Sequence, residues 1–171
     1  MTLIESSIFW KRLSQLHTSL NSDACWNNAD IIVIPIDPAS EETAFNKSSA
    51  VFTYLFGLEF PGSLVMLCEG VLNVVASIES CVVLEALQSG RPTEGPKLVL
   101  HRCVIVSCFI SLVSVCFRIS KEDDHHSICK VLIDMVKNND GFKVGHLAKM
   151  RFDGILARSW DKAARMVEFG D

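Results

Sequence analysis

Apolar positions along the chain alternate between helical and extended periodicity. Phe9, Leu13, Leu16 and Leu20 recur at steps of 4, 3 and 4, one face of a 3.6-residue period, and predict an amphipathic helix over Ser6–Asn21. Ser6 or Ser7 is placed to cap it, and Asn21-Ser22-Asp23 ends it. Ile31-Ile32-Val33-Ile34-Pro35-Ile36 is an unbroken apolar run of strand length, the pattern of a strand covered on both faces. Ser48 or Ser49 then reads as the cap of a short helix through Ala50, Val51, Tyr54 and Leu55, closed by Gly57.

Ser63–Cys68 and Val71–Ala76 are apolar runs joined by Glu69-Gly70, a linker of hairpin type. Ser77–Gln88 predicts a helix with Val82, Leu84, Ala86 and Leu87 inside, followed by a Gly- and Pro-rich loop over 90–96 and a strand over Lys97–His101. Helices are expected over His126–Val136 and Asp153–Glu168, separated by a strand over Phe142–Ala148. This alternation predicts an α/β fold, a mixed β-sheet flanked by helices.

Cys103–Phe117 departs from the pattern, with fifteen residues and no charge between His101-Arg102 and Arg118. A membrane-spanning helix needs about 20 apolar residues. Diluted by Ser and Cys, the run reads instead as a buried strand pair or core helix, a membrane tether being the rival reading.

Composition then narrows the function. The 171 residues are 49% hydrophobic and 21% charged, a globular profile with enough apolar surface for a core. The net charge of −4 argues against holding nucleic acid by phosphate contacts, so no direct nucleic-acid binding is expected. Residues 1–97 hold 5 basic and 11 acidic side chains and 98–171 hold 11 and 9, an asymmetry that suits a mixed-charge protein partner or an ordinary solvated surface. Seven Cys, an odd number set mostly among Val, Leu and Ile, predict buried thiols in a reducing compartment. The start of the chain lacks the pattern of a signal peptide.

Candidate chemistry is sparse. Asp123-Asp124-His125-His126 with Cys129 lacks the spacing of a zinc site and reads as a charged helix start. Gly90–Lys97 echoes a phosphate loop, but Pro96 removes a needed N–H and Leu98 stands where Ser or Thr is required. A Cys nucleophile with His17, His101 or His146 as base is open to any of the seven, and nothing selects one. No catalytic residue, metal site or cofactor is expected.

Four blocks carry a family resemblance: Phe9-Trp10-Lys11-Arg12-Leu13, Ala29-Asp30-Ile31-Ile32-Val33, Asn46-Lys47-Ser48-Ser49-Ala50 and Leu55-Phe56-Gly57-Leu58-Glu59-Phe60-Pro61. Lys143–Ala148 and Ser159-Trp160 follow in the same order. Together, over roughly 9–101 and 122–168, they resemble the N-terminal lobe of the FACT histone chaperone large-subunit family, which is similar to the smaller lobe of aminopeptidase P and creatinase. The resemblance implies a single such lobe over 1–171, without the second, pita-bread lobe that carries the metal ligands in active peptidases. It places an apolar insertion at about 103–117, where the family has a short polar connection.

By the same resemblance the chain is a non-enzymatic protein-binding module of nucleus and chromosome. Its implied partners are core histones and the small FACT subunit, in nucleosome reorganisation during transcription, replication and repair. The alternative is the accessory lobe of a creatinase or aminopeptidase P-type metallopeptidase. Asn46, Lys47, Ser48 and Ser49 are the candidate binding residues, against the plainer reading of a helix cap with a solvated Lys.

Overall fold

β1, Ile31–Ile36, is buried at all six positions, so both of its faces are covered. The computed structural model describes residues 4–22, 26, 28–36, 47–68, 70–105, 116–119, 129–130, 132–134, 143–147 and 155–168. Around β1 are arranged α1 (Ser6–Ser22), α2 (Lys47–Phe56), β2 (Ser63–Cys68), β3 (Val71–Ser77), α3 (Ile78–Glu85), β4 (Lys97–Ile105), β5 (Cys116–Ile119), β6 (Val144–Gly145) and α4 (Ile155–Glu168). Residues 129–130 and 132–134 are also helical.

The strands form one six-stranded mixed sheet in the order β5-β4-β3-β2-β1-β6. β1–β2 and β2–β3 pair antiparallel, whereas β3–β4, β4–β5 and β1–β6 pair parallel. The mixed sheet and flanking helices agree with the fold class expected from the sequence.

Side-chain alternation divides the sheet residues between two cores. Ile32, Ile34 and Ile36 of β1, Val65 and Leu67 of β2, and Leu72, Val74 and Ala76 of β3 pack with Phe9, Leu13, Phe52 and Leu84 of the helices. Ile31 and Val33, Leu64 and Met66, and Val75 point to the opposite face, where Cys129, Leu132, Ile133, Trp160 and Ala163 cover them. One polar pair interrupts this second face: His101 Nε2 lies 3.0 Å from Asn73 Oδ1, both residues being buried. Desolvation by burial pushes the His101 pKa down.

α1 is tied to the far end of α3. Trp10 Nε1 donates to the Leu87 carbonyl at 2.9 Å and Ser6 Oγ donates to the same oxygen at 3.3 Å, adding to the Gly90 N–H that reaches it at 3.3 Å from the turn after α3. The close approach requires glycine at 90: a Cβ there would stand 2.1 Å from Ser6 Oγ and 2.8 Å from Ser6 Cβ.

Several expected boundaries shift. α3 is shorter than Ser77–Gln88: Ser77 is its N-cap, its Oγ accepting from Ser80 N at 3.3 Å, and Gln88–Gly90 is a separate 3-10 turn. Its buried side is Cys81 and Leu84, continued by Leu87 in the turn that follows, which leaves Val82 (58% exposed) and Ala86 outside rather than inside. α2 begins at Lys47, so Ser48 and Ser49 lie in its first turn and do not cap it. The strand expected over Phe142–Ala148 is only Val144–Gly145, its two end residues lying outside the described residues.

The ends of the uncharged run belong to neighbouring parallel strands, β4 reaching Ile105 and β5 beginning at Cys116; residues 106–115 lie outside the described residues. Among the described residues, no helix is long and apolar enough to cross a membrane.

Candidate functional site

The Leu55–Pro61 block builds one wall of a surface groove. Gly57, at φ +73°, ends α2 with its N–H on the Thr53 carbonyl at 2.9 Å, a left-handed position that glycine adopts without steric cost. The turn leaves Leu58 half-buried at the groove and returns Phe60 to the core. The facing wall is Ile4 and Glu5, just before α1, with Ile8 and Arg12 from its first turns, and the groove encloses about 120 Å³.

An aromatic cluster fixes its floor. Phe9 stacks on Phe56 with centroids 5.4 Å apart, Phe52 lies 5.6 Å from Phe56, and Phe60 meets Phe56 edge-on at 5.6 Å. Arg12 frames the rim: its guanidinium donates to the Tyr54 carbonyl and sits 5.1 Å from the Tyr54 ring centroid. Such a contact contributes about 0.5–1 kcal/mol where exposed. The Tyr54 hydroxyl donates to Gln15 Oε1 at 3.3 Å, and Ile8 (39% exposed) and Tyr54 (42%) present apolar surface to solvent. Aliphatic walls with one guanidinium and one carboxylate, Glu5, suit the side chains of a docked polypeptide.

The residues singled out from sequence lie elsewhere. Lys47 is exposed at the first residue of α2, the end remote from Gly57, and Asn46 lies outside the described residues. Ser48 and Ser49 are buried, turned into the protein, and neither they nor Lys47 line the groove. Local sequence could not have found the groove, because its walls come from residues 4–12 and 55–58. The one available signal was the Leu55-Phe56-Gly57-Leu58 block itself.

The described histidines are dispersed rather than convergent. His101 is held by Asn73, His146 Nδ1 lies 3.3 Å from the Val33 carbonyl, and His17 stands over Gly70. Cys81, buried, directs its thiol to the carbonyls of Ala76 and His101 at 3.7 and 3.9 Å. Cys68 is half-buried, and Cys81 and Cys129 are buried. Asp123–His126 lie outside the described residues, and among the described residues no three His, Cys, Asp or Glu side chains form a group that could hold a metal.

Comparison with known proteins places this geometry. The family model described as the FACT complex subunit SPT16 N-terminal lobe domain matches residues 4–105. Curated relatives include the FACT complex subunit SPT16 of Arabidopsis thaliana, 23% identical over 159 residues (90% of this chain, 13% of the relative). That of Gibberella zeae is 26% identical over 165 residues (93% and 14%). The chain thus spans about one-seventh of the length of these relatives.

Among solved structures, the N-terminal domain of FACT complex subunit SPT16 from Cicer arietinum superposes with a TM-score of 0.75 at 23% identity, covering 95% of this chain and 34% of that one. The corresponding domain from Eremothecium gossypii gives 0.72 at 23% identity, covering 99% and 35%. These two share the fold, and the family match extends over more than half of the chain. Lobe, motif block and matched span agree, and the chain belongs to the FACT-Spt16 N-terminal lobe family.

Proposed function

We propose that this chain is a non-catalytic protein-binding module of a FACT-type histone chaperone, acting on chromosomes in the nucleus in nucleosome reorganisation during transcription, replication and repair. The observation that carries the reading is the family match over residues 4–105, which takes in both walls of the α1–α2 groove. Core histones and the small FACT subunit are the proposed partners. The groove is the proposed seat for an apolar partner side chain, with Arg12 and Glu5 at its rim and Lys47 as a separate exposed contact at the start of α2. Residues 1–171 are read as one lobe, with the run at about 103–117 as an insertion; the family match ends at 105, inside the start of that run.

The test is capture of purified core histones and of the small FACT subunit by the immobilised 171-residue chain. It is repeated with Ile8→Glu and Leu58→Arg, which place charge in the groove, and with Lys47→Glu. Retention that falls about 5–10-fold in the groove variants, the loss expected from about 1–1.4 kcal/mol of apolar contact, supports the reading. Retention of neither partner overturns it. Hydrolysis of fluorogenic peptides by the purified chain overturns its non-catalytic part.

A further inference from the structure

We draw no further inference here: the strongest candidate, the exposed apolar stripe of Ile78 and Val82 along the outer side of α3, carries none because nothing in the structure shows what covers it.

Discussion

Phe56→Ala is the sharpest perturbation of the groove's foundation. Phe56 is 2% exposed and contacts Phe9, Phe52 and Phe60 with centroids between 5.4 and 5.6 Å. Truncating a buried Phe costs about 3–5 kcal/mol, and aromatic pairs of this geometry add about 0.5–1.5 kcal/mol each beyond area burial. With three such pairs lost together, the expected cost is about 4–5 kcal/mol. Phe56→Leu keeps most of the volume and loses only the ring contacts, so about 1–1.5 kcal/mol is expected.

The assay is urea unfolding followed by tryptophan fluorescence, with Phe9→Leu and the Phe9→Leu/Phe56→Leu double variant completing a cycle. Its coupling energy isolates the stacked pair, about 1 kcal/mol if the stack contributes as such pairs do. In thermal unfolding, Phe56→Ala shifts the midpoint by about 2–4 °C per kcal/mol, hence about 10 °C or more. A loss below about 1.5 kcal/mol in Phe56→Ala, or additive behaviour in the cycle, would refute the argument that this cluster anchors α1 to α2.

Further expectations follow from the same contacts. Trp10→Phe removes the indole donor to the buried Leu87 carbonyl and is expected to cost about 1–2 kcal/mol, measured by urea titration; Ser6→Ala, which removes the longer bond, costs less. Gly90→Ala forces Ser6 aside and is expected to cost about 1–3 kcal/mol, with Ser6→Gly in the same chain recovering most of it; absence of recovery would locate the strain elsewhere. His101 has its pKa lowered by burial, so the folded chain binds fewer protons there than the unfolded chain. Its contribution is constant above the unfolded value near 6.5 and is lost as pH falls from there through the folded pKa. The difference in unfolding free energy between the parent chain and His101→Gln should therefore narrow between pH 7 and pH 5, and a difference independent of pH would contradict the assignment.

The sheet was legible in the sequence where local pattern and tertiary environment agree. Ile31–Ile36 reads as a doubly covered strand because every position is apolar, and both faces are indeed covered. Glu69-Gly70 reads as a turn because Gly70 takes a left-handed conformation. In α3 the composition misled: Cys81-Val82-Val83-Leu84 is an unbroken apolar run, so the buried side is fixed by Cys81 and Leu84 meeting the core, not by a pattern in the segment. The start of α2 misled differently, since Ser is a common cap but here fills a buried first turn. The groove was illegible because it is assembled from segments distant in sequence, residues 4–12 with 55–58.

The two-sided sheet has a consequence for how this lobe can change. Adding or deleting one residue within β1, β2 or β3 would exchange inward and outward sets on both faces at once, ruining two interiors in a single step. Length variation is therefore confined to the margins of the sheet, beyond the strands whose side chains serve both faces. The uncharged run begins at one such margin, in the outer part of β4, where added length leaves the pairing of the central strands untouched.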